Sequence, residues 1–597
     1  MDKKILKSPC ARLLPLLGIA VFLAYVCWTF IRPVETEDIW WHLATGRWIA
    51  AHGEYPSVDV FSPKSVPSEW VLTQATGSLL FYKIFALGGL EGLIAFRALF
   101  FAFVTGLILL RADKKIPMPW LITLLTVAVL DVLEARHHLR PYIFNLLFIQ
   151  LYLIVLSARR EGAGRYAVFL LPLLSAAWFN LHLGAFVYGS LIIGIFLGCS
   201  LLEAAQKKTA PGSGPRVYLL ALAGHALGFL ANPYGIAGAL YPFKAFFDTN
   251  FVVKNLIMHS ITELRPPCHI FSLEGWRYLI IFTLAVFALW KTKENQLRNT
   301  LLFVTGTGLF LYAQRAVDFW ALASLYVMID AAAQNRLFEC WQQWPRKKAL
   351  AAALAVLCAA VMDAEVYGDW KKETYRLGKL EREKCQLTDN LNPAEPLWML
   401  QASGLTATVF NWDGYGGYLL WAGHPGIKPL ADGRQADPEL YADYLRVVFD
   451  PKRFWPEKEA QYGITLALLN GGHGSNHALI DYLIARPDWQ LISVSGNAVL
   501  LVKQGAHVLP EGWATFEEKA RNRPVTPDDL IPAEIDGSLT AVEEIDVMNE
   551  GIILFTSGFY GEGLKRLRTA WQATRSRKAA ENLNLAIDTY RQTAASL

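Results

Sequence analysis

The chain has 597 residues, of which 53% are hydrophobic, 13% aromatic and 18% charged, with a formal net charge of +4. That is too apolar for an ordinary soluble protein, and so small a charge on so long a chain argues against a nucleic-acid partner. Seven cysteines without a CxxC or a Cys/His zinc spacing argue against a structural zinc and a disulfide framework. Cys268 and Cys385 stay open as a pair outside the membrane.

The start, MDKKILKSPCARLLPLLGIAVFLAYVCWTFIRP, has a basic head and an apolar run from about residue 13 to 31. No small-residue cleavage site follows, which is the pattern of an uncleaved signal anchor. Further apolar runs lie near 90–110, 117–133, 141–158, 166–181, 183–204, 217–232, 276–290, 299–313, 316–334 and 348–364. Together they predict roughly eleven transmembrane helices. The N-terminus is basic, and so are alternate loops: Arg111, Lys114 and Lys115; Arg159, Arg160 and Arg165; Lys207, Lys208 and Arg216; Lys291, Lys293 and Arg298; Arg336, Arg346, Lys347 and Lys348. Cytoplasmic loops carry such an excess, so the N-terminus is expected inside and everything after residue 364 outside.

Residues 33–88 then form the first extracytoplasmic loop, which opens ETEDIWWHLATGRW. A helix over Asp38–Ala50, capped by Thr36 or a neighbour, would put Asp38, His42 and Thr45 on one face and Trp41, Ala44 and Trp48 on another. Such a helix can lie in the headgroup layer with its tryptophans down, presenting a carboxylate and an imidazole. A bare interfacial anchor is the alternative, although it needs no Asp and His on one face.

Other ionisable residues fall on the same side. Arg136, His137, His138 and Arg140 end the third span; Asn180 and His182 follow the fifth; His259, Glu263 and Arg265 lie in a long outer segment; Arg315 and Asp318 start the tenth. Charge at membrane depth is costly and points to function, with snorkelling or ion pairing as the structural alternative. A carboxylate here can act as general base or hold a divalent ion, and arginines can take the charge of a phosphate leaving group.

After residue 364 charge and proline rise, and residues 365–505 read as an α/β domain. Its strands include YGITLALLN and a hairpin around Ser495–Asn497, and GYGGY reads as a tight turn rather than a nucleotide loop. Asp413, Asp432 and Arg434 are open between acceptor binding and turn or cap roles. A linker over 506–540 leads to a tail, 541–597, with tetratricopeptide-like spacing at Gly551, Leu554, Gly558, Tyr560, Leu567 and Ala570. One hairpin and a part are too few to stand alone, so the tail is expected to pack on the α/β domain or on a protein partner.

The run EDIWWHLATGRWIAAHGEYPSVDVFS, with the later SEW, RPYIF, NLHLGAF, NPYG, QRAVDFW, WDGYGGYLLW and LADGR, resembles the GT-C glycosyltransferase superfamily. More closely it resembles a bacterial group with D-x-W-W-H-L in the first loop. The resemblance implies a multi-pass plasma-membrane enzyme, inverting, that takes a sugar from a polyprenyl-linked donor to a glycan or protein acceptor at the outer face. It implies an essential acid at Asp38, with Glu35 or Glu37 as helper and His42 beside it; Glu69 also matches a group position. Mg or Mn at Asp38 is an option, weakened because Thr36 stands where many members carry a second acid. Arg136, His138, Arg140, His182 and Arg315, by side and charge, and Glu69, by its match to the group, are the substrate-binding candidates. The competing readings are a lipid-linked sugar transporter and a non-enzymatic envelope-polysaccharide assembly protein.

Overall fold

A computed structural model describes residues 9–31, 34, 36–64, 66–113, 119–133, 136–160, 167–207, 214–247, 261–267, 275–292, 294–334, 392–510, 513, 516–533, 543–574 and 577–596. Helices overlie ten of the eleven apolar runs, and the eleventh, 348–364, falls outside the described residues, as do His259, Cys268 and Cys385. Helices α1 (Pro9–Thr29), α3 (Ala75–Asp113), α4 (Pro119–Leu133) and α5 (Phe144–Arg160) are followed by α6 (Leu171–Leu181), α7 (Ser190–Ala205), α8 (Pro215–Gly228) and α9 (Gly235–Phe247). Trp276–Lys291, Gln296–Tyr312 and Val317–Gln334 complete the described set. Four stretches are long and apolar enough to cross a membrane by length and composition: Ala75–Leu110, Pro141–Ala158, Ala185–Ala205 and Gln314–Gln334. The chain is therefore a multi-pass membrane protein. One continuous aromatic and aliphatic core joins α1, α3, α5 and the helix Val317–Gln334.

The helix expected in the first loop, α2, runs Asp38–His52 and ends at Gly53, whose φ of 71° gives the left-handed cap that its N–H to Ile49 requires. Trp40 and Trp41 are buried against protein rather than presented to a headgroup layer, while Trp48 is half-buried and stacks on His52. Trp41 and Ala44 are buried with Phe61, Trp70 and Leu420, and Trp40 packs edge-on to Tyr418. Nor does Thr36 cap it: the residue at the N-cap is Glu37, with no side-chain cap bond, while Thr36 Oγ1 accepts from Arg140 Nε at 3.3 Å.

Beyond the membrane helices lies a mixed five-stranded sheet in the order β2-β1-β3-β5-β4, made of β1 (Ala407–Asn411), β2 (Ile427–Pro429), β3 (Leu466–Asn470), β4 (Trp489–Ser495) and β5 (Ala498–Lys503). β1 pairs in parallel with β2 and β3, and β4–β5 form the expected hairpin, turning at Gly496 and Asn497. All five residues of β3 are buried, since helices cover both faces. GYGGY is not a turn but part of a short helix, Asp413–Tyr418, continued by a wider turn over Leu419–Gly423. Much of the expected linker is folded too: Phe516–Asn522 is helical, and Glu517 accepts from the Leu491 N–H at 2.8 Å. The tail forms helices Glu543–Thr556, Tyr560–Thr574 and Arg577–Ser596. It packs on the sheet domain, with Ile553, Leu554 and Phe559 inside that domain's core.

Candidate functional site

Seven of the nine site residues read from the sequence line one cavity of about 660 Å³: Glu37, Asp38, His42, Arg136, Arg140, His182 and Arg315. Its floor is the start of α2 and the segment before α5; the turn Thr262–Leu264 and Arg315 form one wall; Trp412–Gly414, the helix Pro438–Phe449 and His473 form the other. His138 and Glu69 are outside it. Glu69 is exposed, in a short bridge with Val58, and His138 is half-buried with its imidazole kept neutral, lowered to about 3 by burial and by His137, Arg140 and Arg97.

Arg140 is the hub. Its Nη2 lies 2.8 Å from Asp38 Oδ2 and its Nη1 2.9 Å from Glu263 Oε1. Arg136 reaches the other Glu263 oxygen at 3.5 Å, with its guanidinium 3.5 Å over the Tyr142 ring. Burial would raise the Glu263 carboxyl, but Arg136, Arg140 and Arg315 outweigh it and hold the group below its usual range. Arg315 is exposed and makes no ion pair among the described residues. Glu37 goes the other way: burial and the adjoining charges of Asp38 and Asp413 push it up to about 7, against a partial opposition from Arg140. One carboxyl beside the fixed Asp38–Arg140 pair can thus exchange a proton near neutral pH.

His42 and His182 are held rather than free. His42 is 1% exposed, with Nδ1 2.8 Å from Ser78 Oγ and its ring stacked on Trp41 at 3.5 Å. Burial, Arg140 and His182 lower it well below the ordinary imidazole range, so it is neutral. His182 Nδ1 lies 3.0 Å from Asn145 Oδ1, and burial with Arg315 and Arg136 lowers it to about 3. Two donors on the cavity wall, Trp41 Nε1 and Arg136 Nε, are buried without a hydrogen-bond partner among the described residues. An unmet buried donor costs about 1–3 kcal/mol, a cost that a bound oxygen would remove.

The sheet domain closes the cavity through residues the sequence left open. Asp413 accepts from Tyr441 Oη at 2.8 Å and lines the wall; burial raises its carboxyl despite that bond. Asp432 and Arg434 do not face substrate space as ligands. Arg434, its side chain 2% exposed, binds Asp59 at 2.6 Å and Asp432 at 2.7 Å, and lies 4.9 Å from the Phe61 and Trp70 rings. It clamps the sheet domain to the first loop, as do Ser68 to Asp437 at 2.6 Å and Arg47 to the Trp421 carbonyl at 2.6 Å. Glycines make the approach close: a Cβ on Gly417 would come within 2.7 Å of the Glu37 carbonyl, and one on Gly433 within 2.1 Å of Asp38 Oδ1. Glu263 and Gly433 are functional candidates that sequence reasoning gave no role; the quoted HSITELRPP and LADGR were the available signals.

The metal option meets a poor donor set. Among the described residues no three His, Cys, Asp or Glu side chains converge as ligands, and the partner at Asp38 is a guanidinium rather than a second carboxylate. No step below is routed through a metal.

No family model and no curated protein matches the sequence. Among solved structures the chain is similar to the oligosaccharyltransferase AglB from Archaeoglobus fulgidus, in complex with an inhibitory peptide and a dolichol-phosphate. That match has a TM-score of 0.55 at 11% identity and covers 95% of this chain and 86% of that one. A second Archaeoglobus fulgidus oligosaccharyltransferase structure, tethered to an acceptor peptide, gives 0.49 at 12% identity over 76% of this chain and 69% of that one. ArnT from Cupriavidus metallidurans, bound to undecaprenyl phosphate, gives 0.46 at 11% identity over 84% and 100%. At the level of fold, the chain is similar to the AglB oligosaccharyltransferase along nearly its whole length.

Proposed function

We propose that the protein is a membrane-embedded glycosyltransferase that moves a sugar from a polyprenyl-phosphate-type donor to a hydroxyl or amide acceptor at the outer face of a bacterial plasma membrane. The observation that carries the reading is the opposition, inside one cavity, of the acids Glu37 and Asp38 to the cations Arg136, Arg140 and Arg315. Such a cavity suits a reaction in which a proton leaves one reactant while negative charge builds on the other. The AglB structure of similar fold holds a dolichol-phosphate, which fits a lipid-linked donor.

In this reading the acceptor nucleophile attacks the anomeric carbon from the face opposite the phosphate, which inverts that centre. The new bond to the acceptor forms as the bond from the anomeric carbon to the phosphate oxygen breaks. The acceptor proton passes to a carboxylate, Asp38 itself or Glu37 beside it. The electron pair and its charge stay on the phosphate, where Arg140 and Arg315 take them through charge-assisted hydrogen bonds. Trp41 Nε1, a donor without a partner on the same wall, gives a further hydrogen bond to a substrate oxygen.

The test compares Asp38→Asn and Arg140→Ala with the parent protein in its native host, at equal protein level, by sugar analysis of the envelope polymers and glycoproteins. Loss of one sugar component in both variants is expected. Full glycan in both would end the enzyme reading.

A further inference from the structure

Glu263 occupies an unusual position for a carboxylate in a cavity meant for an anionic leaving group. Its two oxygens are divided between two guanidiniums, Oε1 to Arg140 at 2.9 Å and Oε2 to Arg136 at 3.5 Å. A phosphate offers the same oxygen geometry to a pair of arginines, with more charge. The carboxylate is not deeply fixed: its side chain keeps 39% of its exposure. It rides on the single turn Thr262–Leu264, which is tied to the neighbouring wall by Gln314, whose N–H donates to the Arg265 carbonyl at 3.0 Å and whose Nε2 donates to the Thr262 carbonyl at 2.5 Å. The residue after Gln314 is Arg315, the cavity cation without an ion pair among the described residues.

We propose that Glu263 is an internal stand-in for the donor phosphate. It neutralises Arg136 and Arg140 while the cavity is empty and is displaced when the lipid phosphate binds. The proposal rests on the donor class proposed above. Arg136 is buried and its only ion pair among the described residues is with Glu263, so the resident carboxylate stabilises the empty state. The same carboxylate must be expelled by the incoming phosphate, so it lowers donor affinity by the strength of its own two pairs. Release of the spent polyprenyl phosphate becomes correspondingly easier, because Glu263 returns to the arginines as the phosphate leaves. Asp38 also binds Arg140 but through a different nitrogen, Nη2, so that pair can persist while Glu263 is exchanged.

The experiment measures equilibrium binding of a polyprenyl monophosphate to the purified full-length protein in detergent, for the parent and for Glu263→Gln. The corresponding polyprenol and inorganic phosphate serve as separate probes. Exposed or half-exposed ion pairs contribute little each, so removing the two should tighten the polyprenyl phosphate by roughly three- to tenfold. Polyprenol, which lacks the charge, should bind both proteins alike. Tightening of inorganic phosphate as well places the effect in the headgroup; tightening of polyprenol instead overturns the proposal in favour of a tail effect. Unchanged or weaker polyprenyl phosphate binding by Glu263→Gln, with unaltered thermal unfolding, overturns it too. If the parent itself shows no saturable binding, the donor class fails, which is a different result from a parent that binds and a variant that does not improve.

Discussion

At the scale of single residues, the site works by pairing each acid with a different environment. Asp38 is locked to Arg140 at 2.8 Å, so Asp38→Asn keeps the shape and loses the charge. Sugar transfer should fall by about 10²–10⁴-fold, the usual contribution of a positioned proton acceptor, with expression unchanged, as measured by turnover of purified enzyme. Glu37 makes a separate prediction. Its carboxyl moves from an ordinary 4.5 to about 7 in the folded protein, so the native state holds that proton more tightly than the unfolded chain. The contribution to stability is complete below about pH 4.5 and is lost as pH rises through 7. Thermal unfolding followed from pH 4.5 to 8 should show this slope in the parent and less of it in Glu37→Gln; equal slopes would remove Glu37 as the titrating group. The sequence placed Asp38 and Arg140 on one side of the membrane by charge alone. That they touch, and that Glu263 completes the set, depends on chain crossings no local pattern encodes. His42 shows the limit of a periodicity argument. It does share the Asp38 face, yet it is 1% exposed because Ser78 and Trp41 enclose it.

At the scale of elements, the decisive contact is between α2 and the helix Asp413–Tyr418 of the sheet domain. GYGGY reads as a tight turn because it lacks a nucleotide-loop spacing, yet it is helical although glycine is costly there. Here the cost is accepted for proximity, since any side chain at Gly417 would press on the Glu37 carbonyl; in the turn nearby, one at Gly433 would press on the Asp38 carboxylate. Gly433→Ala should therefore displace Asp38 or the loop that carries Gly433, at about 1–3 kcal/mol of overpacking. The expected outcome is reduced transfer, because the acid moves and its pair with Arg140 moves with it. Full activity in Gly433→Ala would show that the sheet domain does not hold the acid in place. The hairpin β4–β5 was legible because alternation and a Gly-Asn turn are local signals. The docking face was not, because Trp40 and Trp41, which suggested a membrane interface, pack on protein instead.

At the scale of the whole molecule, the clamp between the first loop and the sheet domain constrains the topology. Arg434 binds Asp59, and Asp437 accepts from Ser68, so residues 38–72 and 394–503 lie on the same side of the bilayer. The chain between them must then cross an even number of times. With α1 as one further crossing, as the sequence predicts, the total is expected to be odd, in line with roughly eleven spans. Breaking the clamp by Arg434→Met strands two buried carboxylates, Asp59 and Asp432, and should cost about 3–5 kcal/mol. Hydrogen exchange over residues 413–437 should rise accordingly. The parity itself is open to a direct reading with single cysteines at exposed positions: Glu54 in the first loop, Val508 after the sheet and Lys207 between α7 and α8. A membrane-impermeant maleimide applied to intact cells should label Glu54→Cys and Val508→Cys together and leave Lys207→Cys untouched until the cells are opened. Labelling of Glu54→Cys without Val508→Cys would contradict the clamp, because no folded chain can hold Arg434 against Asp59 across a bilayer. Labelling of Lys207→Cys alone would keep the clamp but turn the cavity toward the cytoplasm, and the donor would then have to be one presented on that leaflet.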